Sequence, residues 1–226
     1  ILRVLRFTAE LGYEVEDLTK QACISNAGLM NAENTEYALK KLLSMDPGKR
    51  DRALEIAEKY GILDCVKNII TDKCEGELKN NQNFNSTRLS LERFLRTPDF
   101  FIFGGALRDI ILKKQIRDID VKLENKTIDA TQIVELLESK GFIETMDVAL
   151  PKDTYYINRA YNVVSFRVNG VLFDVTFTEA FDPVKWQRTS DINLNGLVFD
   201  NKAQQLLNRD LSFYIAIRRL EFCSTD

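Results

Sequence analysis

Phe100-Phe101-Ile102-Phe103-Gly104-Gly105-Ala106-Leu107-Arg108-Asp109, followed by Ile116-Arg117-Asp118-Ile119-Asp120-Val121-Lys122-Leu123, decides how this chain folds. Phe100 to Phe103 reads as a short apolar strand that the two glycines break, and Ala106 to Lys114 resumes helical spacing. Ile116 to Leu123 then alternates apolar and charged residues, as a half-buried strand does. Downstream, Asp129 to Lys140 is helical with Gly141 as its stop. Asn162 to Val168 and Val171 to Phe177 flank Asn169-Gly170, a strong short-range hairpin signal. From Leu91 onward the pattern predicts an α+β domain, a mixed sheet with flanking helices.

Toward the N-terminus the spacing becomes helical throughout. In Ile1 to Leu11, Arg3, Arg6 and Glu10 recur three and four apart on one stripe of an otherwise apolar segment. Further helices fit Asp17 to Asn26, Glu33 to Met45 and Lys49 to Tyr60, with Asp46-Pro47-Gly48 as punctuation. Residues 1–74 thus read as a small all-helical domain. Glu75 to Ser90 is polar, with Lys79-Asn80-Asn81-Gln82-Asn83 at its centre, and is expected to be a linker. The α+β domain then spans 91–226.

Composition narrows the chemistry. The 226 residues carry 31 Lys plus Arg against 34 Asp plus Glu, a net charge of -3, and are 45% hydrophobic, enough for a real core. There is no histidine. That excludes Ser-His-Asp and Cys-His nucleophile schemes and His-ligated zinc, so acid, base or metal work falls to carboxylates. The four cysteines form no CxxC pair and are expected to be inert thiols in a reducing compartment. No apolar run long enough to span a membrane and no signal-peptide pattern is present, so a cytoplasmic or organelle-matrix location is expected, with no membrane partner. A first residue of Ile implies a processed or partial chain.

Three places concentrate chemistry. At Gly104-Gly105 a strand turns into a helix, and glycine there lets backbone approach a ligand such as phosphate. On the strand that follows, Asp118 and Asp120 are two apart and share a face, so their like charges call for a cation between them. Mg²⁺, usually held by one or two carboxylates plus substrate phosphates, is the natural candidate; a solvated strand face is the plain alternative. Asp174 lies on a hairpin strand, opposite the face formed by Phe173, Val175 and Phe177.

Gly104-Gly105-x-x-Arg108-Asp109 followed by Asp118-x-Asp120 resembles the head-domain signature of the class II tRNA nucleotidyltransferases, the CCA-adding enzymes, and the bacterial poly(A) polymerases. Asp191-Ile192-Asn193-Leu194-Asn195-Gly196-Leu197 is similar to a further stretch of that family, with Asp191 and Asn195 in matching places. Ile1 to Tyr13 looks like the segment that joins head to neck, and residues 14 to 64 like the neck helices. The order is inverted relative to the family, in which the head comes first; placing Asp226 before Ile1 restores it. Circular permutation, excision from a tandem arrangement or another rearrangement would each explain this. Thr189-Ser190 stands where the family has paired arginines, leaving Arg188 nearby. The family's Asp-Pro-x-Gly-Gly stretch is absent, and its base-selecting Glu-Asp-x-x-Arg element would fall before Ile1.

The resemblance implies a polymerase beta-like nucleotidyltransferase head beside a helical neck, and template-independent nucleotidyl transfer. Asp118 and Asp120 would hold two Mg²⁺ ions, with Asp174 as the third catalytic carboxylate. Gly104 and Gly105 would cradle the triphosphate, Arg108 would contact phosphate or tie the turn to its neighbours, and Arg188, Asp191 and Asn195 would line the ribose and triphosphate side of the substrate. The implied partners are an NTP, ATP and possibly CTP, and an RNA 3′ end, above all tRNA. Poly(A) polymerase, a nucleotidyltransferase with another acceptor, and a non-catalytic RNA- or partner-binding relative are the alternatives. The acidic pI of about 5.3 disfavours a broad electrostatic grip on RNA.

Overall fold

The computed structural model describes residues 42–43, 45–59, 63–124, 126–146, 150–189 and 195–217. The chain divides into two compact units, Ile1–Ile70 and Thr71–Asp226. The expected helices before residue 42, Arg3 and Arg6 included, lie outside the described residues. Within the first unit, α1 (Pro47–Lys59) opens on Pro47, whose fixed φ and missing N–H suit a first helical position. The Asp46 carboxylate accepts the Lys49 N–H at 3.0 Å, and the buried Arg50 guanidinium donates to the Leu43 and Met45 carbonyls at 3.2 and 2.6 Å. The expected punctuation at Asp46-Pro47-Gly48 is therefore a helix start.

The polar stretch expected as a linker is helical instead. α2 (Leu63–Asn80) runs to Asn80, and α3 (Gln82–Leu95) starts directly after Asn81, whose side chain accepts the Phe84 N–H at 2.9 Å. Leu78, Phe84, Leu91, Phe94 and Leu95 are buried, so sparse apolar residues at helical spacing support the segment while its polar neighbours face out. Their dilution among Asn and Lys hid the periodicity.

The second unit is a mixed α+β domain built on an eight-stranded sheet. Its strands are β1 (Phe101–Phe103), β2 (Asp118–Glu124), β3 (Ile143–Glu144), β4 (Thr154–Asn158), β5 (Val163–Val168), β6 (Val171–Thr178), β7 (Val198–Asp200) and β8 (Gln205–Leu206). They lie in the order β3-β4-β5-β6-β2-β1-β7-β8. The β2–β6 and β3–β4 pairs are parallel and the others antiparallel. α4 (Gly105–Ile111) follows β1, α5 (Ala130–Ser139) follows β2, α6 (Pro183–Thr189) follows β6, and α7 (Asp210–Ala216) follows β8. Asp129 and Gln132 form a reciprocal capping box at the start of α5. Asn169 and Gly170 take φ of 51° and 84°, as the tight turn between β5 and β6 requires.

One face of the sheet makes the core. Ile102, Ile119, Val121, Leu123, Phe166, Phe173 and Val175 pack with Leu91 and Phe94 of α3, Leu107 and Ile110 of α4, and Ile133 and Leu137 of α5. Strand alternation then sends Asp118, Asp120 and Lys122 of β2, and Asp174 and Thr176 of β6, to the opposite face. The core thus fixes which way the acidic residues point. Cys74 is buried, its thiol donates to the Ser212 carbonyl at 3.7 Å, and burial pushes its pKa up to about 11, an inert thiol at neutral pH.

Asn201 fastens α3 to the sheet. Its buried amide donates to the Glu92 carboxylate and the Pro98 carbonyl, both at 3.1 Å, and accepts from Arg88 at 3.3 Å. Asn201→Ala leaves those groups unpaired, and the expected loss is about 2–4 kcal/mol in urea unfolding, with the slope of the transition unchanged.

Candidate active site

Parallel pairing of β2 with β6 sets the site. Asp120 lies directly beside Asp174 in the register and Asp118 beside Leu172, so Asp118, Asp120 and Asp174 share one face across two adjacent strands. Ser165 of β5 pairs with Asp174 from the other side, and its hydroxyl donates to Asp174 Oδ1. Phe103 of β1 pairs with Asp120, which brings the Gly104 turn to the same place. A Cβ on Gly104 would stand 3.3 Å from Asp120 Oδ2, and its φ of 73° is one that side chains disfavour.

The electrostatics follow from that crowding. Burial, then the charges of Asp118 and Asp174, push the Asp120 carboxyl from 3.8 up to about 6, while Lys122 pulls it back. Lys122 sits on the same face among three rings, with Nζ 4.7 Å from the centre of Trp186, 5.2 Å from Phe103 and 5.9 Å from Phe181. Burial there pulls the ammonium below its ordinary value, and Asp120 opposes the shift. Trp186 meets Phe103 edge-on at 4.8 Å and donates Nε1–H to the Asn195 carbonyl at 3.3 Å.

The remaining expected residues divide. Arg108 is held by Asp109 at 3.0 Å and by Asn195 Oδ1 at 3.4 Å, so it braces the turn after β1 against the segment before β7. The Gly104 N–H donates to the Leu197 carbonyl at 3.2 Å, which ties the turn to the segment before β7. Gly105 lies against the Arg108 guanidinium, 3.4 Å from where a Cβ would be. Asp191 and the Arg188 side chain lie outside the described residues.

Two residues of this face carried no expectation. Ser165 is found by counting outward from Asn169-Gly170, since a two-residue turn places it opposite Asp174. Lys122 continues the Asp118, Asp120 alternation.

Among the described residues no group of three or more His, Cys, Asp or Glu is arranged to hold a metal ion by itself. The donor set nonetheless fits Mg²⁺, which needs one or two carboxylates and takes its other ligands from water and substrate phosphates. Asp118 and Asp120 are such a pair, two apart on one strand face with Asp174 beside them.

No family model and no curated protein matches the chain. Solved structures with similar folds include a CCA-adding enzyme in apo form I, with 16% identity over 67% of this chain and 36% of that one, at a TM-score of 0.44. A CCA-adding enzyme complexed with CTP shows 21% identity over 62% and 33%, at 0.42. The Thermotoga maritima CCA-adding enzyme complexed with tRNA shows 20% over 57% and 28%, at 0.39. The chain spans about a third of the length of these enzymes. Among the described residues no helix is long and apolar enough to cross a membrane.

Because its folded pKa lies above its unfolded value, Asp120 destabilises the native state once it ionises. Below about pH 4 the carboxyl is protonated in both states and costs nothing; the cost grows as pH rises to about 6 and is complete above it. Asp120→Asn is therefore expected to stabilise the chain by about 2–3 kcal/mol at pH 8 and to give no such gain at pH 4. Denaturant unfolding at the two pH values in metal-free buffer measures the difference.

Proposed function

We propose that this chain is the nucleotidyl-transferring part of a template-independent RNA nucleotidyltransferase, which adds nucleotides from NTPs to a 3′ end, with CCA addition to tRNA as the specific reaction. The observation that carries the reading is the parallel register of Asp120 with Asp174, with Asp118 on the same face and the Gly104 turn alongside.

In this reaction the 3′-oxygen forms a bond to the α-phosphorus, the bond from that phosphorus to the β-phosphate oxygen breaks, and pyrophosphate leaves. Asp118 and Asp120 would hold Mg²⁺. Bound there, it would lower the pKa of the attacking hydroxyl and neutralise the triphosphate. Asp174, with one oxygen fixed by Ser165, is placed to orient the hydroxyl, and the proton passes to a carboxylate or to water, the chain having no histidine. Lys122, confined by its aromatic surround, supplies a fixed positive charge beside the carboxylates. Arg108, tied to Asp109 and Asn195, braces the turn that carries Gly104 and Gly105.

A second reading, a non-catalytic relative that binds RNA, draws on Thr189-Ser190 where the resembled family has paired arginines. Incubating the chain with Mg²⁺, each labelled NTP in turn and tRNA lacking its 3′ end separates the two. Incorporation from CTP and ATP supports CCA addition, ATP alone points to poly(A) synthesis, and no incorporation favours the second reading. Asp120→Ala or Asp174→Ala is expected to cut any true signal by at least about a thousandfold.

A further inference from the structure

Four neighbouring strands place one residue each in a single row. Tyr156 of β4 lies opposite Ser165 of β5, Ser165 opposite Asp174 of β6, and Asp174 beside Asp120 of β2. Directly paired residues share a face, so the whole row lies on the side of the sheet away from the core. Tyr155, the preceding residue, points the other way: it is buried, and its hydroxyl donates to Glu138 at 3.0 Å. Tyr156 is half-buried, and among the described residues its ring and hydroxyl have no partner. Adjacent strands lie about 4.8 Å apart, so Tyr156 stands roughly 10 Å beyond Asp174, on the side away from Asp120.

Past Tyr156, the turn between β4 and β5 adds a cation and a second ring. Arg159 and Tyr161 are exposed, Tyr161 at 74%, and among the described residues Arg159 has no acidic side chain within ion-pair distance. Asn162, left-handed at φ 53°, fastens this turn to β6: its amide donates to the Phe177 carbonyl at 3.0 Å, and its carbonyl accepts the Phe177 N–H at 3.1 Å. An exposed tyrosine is by itself an ordinary surface residue. What distinguishes these two is the open guanidinium between them in sequence and their continuity with the acidic row. Single-stranded nucleic acid matches that set, because its bases stack on aromatic side chains while its backbone follows positive charge. A chain of net charge -3 has such local strips, not a broad basic surface, with which to hold a polyanion. A folded protein partner would need a contiguous apolar patch, and Asn158, Arg159 and Asn162 interrupt this one.

We infer that β4 and the turn after it form the path by which a single-stranded RNA 3′ end reaches the acidic row, its last base against Tyr156, the base before it at Tyr161 and the phosphate between them at Arg159. The path ends at Asp174, the carboxylate held by Ser165. That the strand is the acceptor of a transfer reaction rests on the nucleotidyl-transfer reading; that this surface takes single-stranded RNA does not.

The test is fluorescence titration of the full chain with a 5′-labelled, hydroxyl-ended RNA hexamer in Mg²⁺ buffer without NTP. Tyr156→Ala is expected to weaken binding about tenfold and Tyr156→Phe to keep it within about twofold, since the ring and not the hydroxyl stacks. Tyr161→Ala, on an exposed turn where folding is not at stake, is expected to weaken it about fivefold. Arg159→Ala is expected to lower the slope of log affinity against log salt by about 0.7, the share of one phosphate contact on a single strand. With 4-thiouridine as the last nucleotide, photocrosslinks are expected on β4 or its flanking turns. Crosslinks confined elsewhere, unaltered affinity in both Tyr156→Ala and Tyr161→Ala, or no measurable binding by the unaltered chain overturns the path. Nucleotide transfer with an unchanged KM for RNA in Tyr156→Ala overturns it while sparing the functional reading. RNA binding that depends on Tyr156 in a chain that transfers nothing spares the path and removes the reading.

Discussion

The pairing of β2 with β6 is the constraint on which the rest of the structure depends. It does two opposed things at once. On one face it joins Ile119, Val121 and Leu123 to Phe173, Val175 and Phe177 in the apolar interior. On the other it aligns carboxylates that repel, and burial together with that repulsion pushes the Asp120 pKa up to about 6. Burial on the first face offsets repulsion on the second. Because side chains alternate along a strand, a slip of one residue would send the acidic row into the core, so burial also enforces the register that aligns the carboxylates.

What surrounds the acidic row manages its charge. Ser165 satisfies one oxygen of Asp174, and Lys122 is kept within the field of Asp120 by Phe103, Phe181 and Trp186. Gly104 gives Asp120 room that any side chain would fill. The segment before β7 closes the arrangement, since the Asn195 side chain receives Arg108 and its carbonyl receives Trp186.

Much of this was legible in the sequence, for identifiable reasons. Alternation through Asp118 to Leu123 and the Asn169-Gly170 turn located β2, β5 and β6, because both patterns are local and depend on few residues. The shared face of Asp118 and Asp120 followed from that alternation alone. That β6 lies parallel to β2, with Asp174 beside Asp120, is a long-range fact no local pattern contains. α3 was missed because Phe84, Leu91, Phe94 and Leu95 are few among polar neighbours, although their helical spacing was present. The Gly104-Gly105 pair marks the turn between β1 and α4 locally, whereas the approach of Gly104 to Asp120 and to the Leu197 carbonyl depends on partners distant in sequence.

Asp120 and Asp174 are roughly fifty residues apart in the chain, and α5, β3, β4 and β5 all lie between them. Closing so long a loop is entropically slow, whereas the β5–β6 hairpin can form by itself. During synthesis and refolding, the hairpin would therefore carry Asp174 preassembled with Ser165 and dock it against β2 afterwards. The acidic face becomes whole only when that docking is complete, so half-folded chains hold Asp118 and Asp120 apart from Asp174.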